Sequence, residues 1–218
     1  MDLIQALAAE LGKDPRHVEN VVHLLDEGNT IPFIARYRKE LHGAMDDTSL
    51  RTLEERLQYL RGLEERREAV KKSIDEQGKL TDELTAAIDS AKTLAEVEDL
   101  YRPYKQKRRT RATMAKEKGL EPLAALLFAQ ERDCPRPEEA ARDFVDPEKG
   151  VETVEDALQG ASDIIAEQIS DDAAIRKSLR ALISRQGQLV SRAATEDDSV
   201  YRLYYDFTQS VARLQEHQ

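Results

Sequence analysis

Residues 47–78, "DTSLRTLEERLQYLRGLEERREAVKKSIDEQG", decide the fold. Leu50, Leu53, Leu57, Leu60, Leu63, Val70 and Ile74 fall on the spacing of one helix face, and Gly78 closes the pattern. A run of roughly 30 residues at about 1.5 Å rise spans about 45 Å. That length makes it a spine for shorter helices. The Glu and Arg residues around the stripe read as a solvated face laced by ion pairs, with Glu68 and Lys72 in the favourable order four apart.

Shorter helices are predicted on both sides. Asp2 can cap a first helix carrying Leu3, Ile4, Leu7, Ala8 and Leu11, which Gly12 ends. Asp14 and Pro15 start a second, with Val18, Val21, Val22 and Leu25 inward and Gly28 as its stop. The two make a hairpin of the helix-turn-helix kind, although such hairpins are more often plain packing units than DNA readers. "TIPFIARYRKELHG", residues 30–43, predicts a short helix from Pro32 with Phe33, Ile34 and Tyr37 inward and Arg36, Arg38 and Lys39 outward.

Beyond the spine, Thr81 starts a helix through Leu84 and Ile88, and Thr93 with Glu96 reads as a capping box ahead of Leu94, Val97 and Leu100. Helices are expected again over 111–118, over 122–130 and from Pro137 to near Phe144. Two longer ones follow, from Thr153 through Ile169 and from Asp171 or Asp172 through Ile175, Leu179, Leu182 and Ile183 to Gly187. "QLVSRA" and "SVYRLYYDF" then read either as a hairpin or, for the second, as a helix; periodicity over so few residues does not decide.

Composition agrees with helices. The chain has 218 residues, 40% hydrophobic and 35% charged, with aromatics at 5% and no Trp, the balance left by narrow apolar stripes on many helices. One cysteine, Cys134, excludes an internal disulfide framework and fits a reducing cytoplasm. No window is apolar enough to span a membrane. His17, His23, His42 and His217 form no metal-ligand spacing, and a surface or capping role is expected for each. There is no Gly-rich phosphate loop, and no carboxylate pair is set apart as an acid and base. Gly62, inside the spine, suggests a close approach by a neighbouring backbone. No cofactor, metal or catalytic group is expected.

The charge distribution does point somewhere. In a chain of net charge −10, the stretch from Tyr101 to Lys116 holds Arg102, Lys105, Lys107, Arg108, Arg109, Arg111 and Lys116 and no Asp or Glu. Pro103 disfavours helix at Arg102, so Arg102 is expected to be extended and the run to about Thr110 to be a loop. Cations interleaved with Tyr101 and Tyr104 suit a single-stranded nucleic acid, whose phosphates meet the cations and whose bases stack on the rings. The competing reading packs the tyrosines beneath the loop and pairs the arginines with acidic groups. Arg36, Arg38 and Lys39 are a second candidate patch.

"IPFIARYRKE" (31–40), "LRTLEERLQYLRGLEERR" (50–67), "SIDEQGKLTDEL" (73–84), "VEDLYRPYKQKRRTRA" (97–112), "AKEKGLEPLA" (115–124) and "FVDPEKGV" (144–151) together resemble the N-terminal region of the bacterial Tex proteins. These are transcription accessory factors related to a eukaryotic elongation factor and histone chaperone. Gln106 stands where the family pattern has proline, Arg102 replaces an apolar residue, and His42 and Met45 alter a turn. The resemblance implies a multihelical region of a longer protein that continues into an RNase H-like domain, a helix-hairpin-helix region and an OB-fold domain carrying most of the RNA binding. It implies no catalytic residues here; the basic Lys105, Lys107, Arg108 and Arg109 are the ones that transfer.

The expectation is therefore an all-α, multihelical, non-enzymatic chain with one long central helix and an N-terminal helix-turn-helix-like hairpin. Residues 1–45 would form the hairpin and a short helix, 46–187 the long helix and a bundle, and 188–218 a connector. Its partners would be an RNA or DNA backbone, downstream domains of the parent protein and the transcription machinery. The alternative is an interaction scaffold with no nucleic-acid contact of its own.

Overall fold

The apolar stripe folds as predicted. In the computed structural model, which describes residues 3–106, 108–132, 134–195 and 197–215, it forms α4 (Asp47–Asp75), preceded by α1 (Leu3–Leu11), α2 (Pro15–Asp26) and α3 (Ile31–Tyr37). The chain is predominantly helical and divides into two compact units, residues 1–97 and 98–218. Asp46 caps α4 by accepting from the Ser49 N–H at 2.7 Å. Leu50, Leu53, Leu57, Leu60, Leu63, Val70 and Ile74 are all buried, each contributing about 1.5–3 kcal/mol over exposure.

The first unit packs around α4. Val18, Val21 and Val22 of α2, Leu7 of α1, Ile31 and Ile34 of α3 and Ile88 of α5 (Asp82–Ser90) complete its core. The hairpin of α1 and α2 is strapped to α4 by polar groups as well: Arg56 grips Glu10 at 2.8 and 3.0 Å, and Arg61 grips Asp26 at 2.7 and 2.8 Å. Those hydrogen bonds hold both carboxyls below their ordinary range. Asp14 caps α2 as expected, whereas Asp2 lies outside the described residues.

Several side chains depart from the sequence reading. Arg67 lies on the buried stripe, four after Leu63 and three before Val70, and is 3% exposed. Its guanidinium reaches Glu64 at 2.6 Å and the Ala91 carbonyl at 2.5 Å. Glu68 pairs with Lys71, not Lys72, because Lys71 also reaches Asp89 of α5. Tyr37 is not inward: it is exposed and leans on Phe33 at 5.3 Å between ring centroids. His42 is not a surface residue but buried, in a turn where Gly43 (φ 59°) leaves no room for a side chain: a Cβ there would collide with the His17 ring. Gly62 meets nothing within 4 Å, so no backbone approaches it.

The second unit centres on α10 (Val154–Asp171), with α7 (Arg111–Glu117), α8 (Glu121–Ala129) and α9 (Pro137–Ala141) around it. Its core is small: Ala112, Ala115, Ala124, Ala141, Ala157 and Ala161 beside Leu120, Leu123 and Ile164. Such residues let helices close in, and the contact demands glycine at 160, where a Cβ would collide with Leu120 Cδ1. Thr153 and Asp156 form a capping box at the start of α10. α11 (Ala173–Gln186) follows, then β1 (Gln188–Arg192) paired antiparallel with β2 (Asp206–Ser210) from Gln188↔Ser210 to Arg192↔Asp206. A hairpin does form, but its second strand is shifted: of "SVYRLYYDF" only Asp206 and Phe207 lie in β2, and Arg202–Tyr204 form a short helical turn ahead of it. No helix among the described residues is long and apolar enough to cross a membrane.

Candidate nucleic-acid interface

α6 (Leu94–Tyr101) delivers the chain to the basic run. Thr93 caps it through the Glu96 N–H, and Asp99 near its end is buried among polar partners. Arg102 does not become extended before Pro103. The residues Arg102–Tyr104 continue α6 as one tighter helical turn, closed by the Lys105 N–H on the Tyr101 and Arg102 carbonyls. The loop ends at Thr110, whose hydroxyl caps α7 by accepting from the Thr113 N–H at 3.0 Å and also bonds Glu167 of α10 at 3.0 Å.

Beneath this loop α10 presents Asp163, Glu167 and Asp171, four residues apart and therefore on one face. Arg102 pairs with Asp171 at 3.0 Å and Arg111 with Asp163 at 3.8 Å. Arg109 turns to Glu117 at 2.7 Å, and Lys116 to Glu121 at 3.7 Å. Sequence alone puts these carboxylates in surface patterns of their own helices; α10 meets the loop only through the fold. Lys105 and Arg108 are exposed and in no ion pair among the described residues. Lys107 lies outside the described residues. Loop and α10 together line a cavity of about 500 Å³, with Lys105, Arg108 and Gln106 on one wall and the three carboxylates on the other.

Tyr101 and Tyr104 are half-buried, which favours packing beneath the loop over open rings for stacking. The anchor of this corner is Asp99, 4% exposed, which accepts from Arg176 at 2.6 Å and from Arg180, both on α11. Burial pushes the Asp99 carboxyl up, but the hydrogen bonds from Arg180 and Arg176 outweigh it and the carboxyl ends below its ordinary range.

The second candidate patch lies in the first unit. Arg36 and Lys39 are exposed and in no ion pair among the described residues. Arg38 is half-buried and engaged, its guanidinium 5.2 Å over the Phe33 ring and its Nη1 donating to the Tyr37 carbonyl at 3.2 Å. The outward side of α2 carries Glu19 and, just past its end, Glu27 beside Arg16 and His23, with no cluster of cations to meet duplex phosphates. Among the described residues no group of three or more His, Cys, Asp or Glu is placed to hold a metal ion.

Residues 1–75 match the model of the Tex-like protein N-terminal domain, and residues 133–218 match the Tex central region-like model. The chain is 46% identical over 219 residues to the uncharacterized protein YdcI of Bacillus subtilis, covering 99% of this chain and 30% of that protein. It is 43% identical over 222 residues to the transcriptional accessory protein Tex of Neisseria gonorrhoeae, covering 100% of this chain and 28% of that one. The human S1 RNA-binding domain-containing protein 1 is 29% identical over 228 residues, 100% of this chain and 22% of its own length. The chain thus spans under a third of the length of these relatives.

Proposed function

This chain belongs to the Tex family, and on that premise we propose that it is a non-enzymatic, cytoplasmic nucleic-acid-binding region of a transcription accessory protein. Its ligand is the phosphate backbone of RNA, with duplex DNA as the second candidate. The observation that carries this reading is the pair Lys105 and Arg108, which line the loop cavity and are exposed and outside any ion pair among the described residues. A phosphate chain meets them without displacing an existing partner. Arg102 and Arg111 join only by exchanging Asp171 and Asp163 for phosphate. Contacts of this kind give affinity and register but no base specificity.

The test is binding of labelled single-stranded RNA and duplex DNA across a salt series, beside a Lys105→Ala/Arg108→Ala variant. The expected result is weaker binding by the variant and a salt slope shallower by about 0.7 for each single-strand phosphate that the variant no longer neutralises. Wild-type binding no stronger than background at low salt overturns the reading.

A scaffold role has its own support. Asp171, Asp163 and Glu117 neutralise Arg102, Arg111 and Arg109, which is what a loop serving only to hold its own unit together would need. Under that reading the loop and α10 organise the region for downstream domains of the parent protein or the transcription machinery, and the double variant changes neither affinity nor slope.

A further inference from the structure

α11 is amphipathic and yet buries none of its residues. Ile175, Leu179, Leu182 and Ile183 form one stripe by their spacing, and they are 38%, 50%, 42% and 55% exposed. The core of the second unit is built without them. α11 is held by Arg176 and Arg180 on Asp99, by packing against α10 and the turn at Val211–Arg213, and by the Val211 N–H on the Gly187 carbonyl just past its end. The strand that follows leaves Leu189 and Val190 exposed as well. Single exposed apolar residues need no explanation, but a stripe running the length of a helix marks a contact surface.

We propose that this stripe is the docking surface for polypeptide of the full-length Tex-family protein lying outside these 218 residues, and that the docking segment is apolar at its centre with acidic side chains at its edge. The proposal rests on the family membership and not on nucleic-acid binding. Two features select this occupant. α11 carries Arg176, Lys177, Arg180 and Arg185 and no Asp or Glu, and the single carboxylate of Asp99 offsets only part of that charge, so an acidic edge complements it, while a second copy sets cation against cation. A 14-residue helix is about 21 Å long, and one stripe of it buries well under the roughly 1,000 Å² that a freestanding interface needs. A segment of the same polypeptide needs no such area, because tethering presents it at an effective concentration of about millimolar. The relatives supply the length: this chain covers 30% of the Bacillus subtilis protein and 28% of the Neisseria gonorrhoeae Tex.

The experiment places a thiol on the stripe, Leu179→Cys in a Cys134→Ser background, and measures its labelling rate in the 218-residue chain and in the full-length protein containing it. The expected result is fast labelling of the short chain at every protein concentration and labelling at least tenfold slower in the full-length protein. Equal rates in the two overturn the proposal. So does slowing in the short chain as its concentration rises, which assigns the stripe to a second copy. A Leu179→Asp/Ile183→Asp variant provides the second measurement: unchanged melting of the short chain with a lowered melting temperature of the full-length protein is expected, and an equal drop in both overturns it. Failure of the short chain to bind RNA leaves these readouts untouched, so the two proposals fail separately.

Discussion

α4 and α11 carry the same signal in the sequence and meet opposite fates. Both repeat leucine, isoleucine or valine at three and four, both have an aspartate cap, and both are flanked by arginines. In α4 the stripe is wholly buried beneath α1, α2, α3 and α5, and even Arg67 is drawn into it. In α11 the stripe stays open and the arginines do the anchoring, through Asp99. Periodicity therefore identifies an apolar face but not what covers it, because cover is a property of the neighbours.

The contrast is broken most severely at Leu63, 1% exposed on α4. Leu63→Ala is expected to destabilise the chain by about 2–5 kcal/mol in urea unfolding, the range for a buried leucine that leaves a cavity. A change under about 1 kcal/mol would mean that the spine is not a tight core.

Next in size is the anchor of α11. Asp99→Asn removes the charge from hydrogen bonds to two arginines that are themselves partly exposed, and a destabilisation of about 1–3 kcal/mol is expected at neutral pH. The sign with pH follows from the lowered carboxyl. Its stabilisation is complete above the unfolded value of about 3.9 and is lost as pH falls through the lower folded value. Melting curves of wild type and variant should therefore converge in strong acid; a constant gap down to the acid limit would assign the effect to packing.

Two glycines sharpen the contrast between tight and open sites. Gly160→Ala must displace the Leu120 side chain and is expected to cost about 1–3 kcal/mol. Gly62→Ala has nothing within 4 Å and should stabilise α4 by up to about 1 kcal/mol. Opposite signs in one thermal-melt series support the packing described, and destabilisation at Gly62 contradicts it. Smallest of all is Leu179→Ala, half exposed on α11, expected within about 0.5 kcal/mol of wild type in the isolated chain.

What the sequence made legible was local. The stripe of α4, the caps at Asp14, Thr81 and Thr153, and the all-helical character depend on residues a few positions apart, and each stands where expected. What it concealed was long-range. Arg67 enters the core because the Ala91 carbonyl, 24 residues on, offers it an acceptor. Lys71 is chosen over Lys72 by Asp89, and Tyr37 turns outward against Phe33. At the candidate site the cluster of cations was legible from charge alone, but its counter-charges Asp163, Glu167 and Asp171 were not. They lie more than fifty residues downstream and meet the loop only once α7 and α10 pack.

Those counter-charges supply the most direct test of the central claim, that the loop from Arg102 to Arg111 is a phosphate-binding site held partly in check by α10. The measurement is the affinity for single-stranded RNA at fixed low salt of wild type, Arg108→Glu and Asp163→Asn/Asp171→Asn. The account expects Arg108→Glu to weaken binding and the double asparagine variant to tighten it, because Arg102 and Arg111 are then released to phosphate. Equal affinity of all three proteins, or no tightening by the double asparagine variant, would contradict it and leave the loop as a structural contact of its own unit.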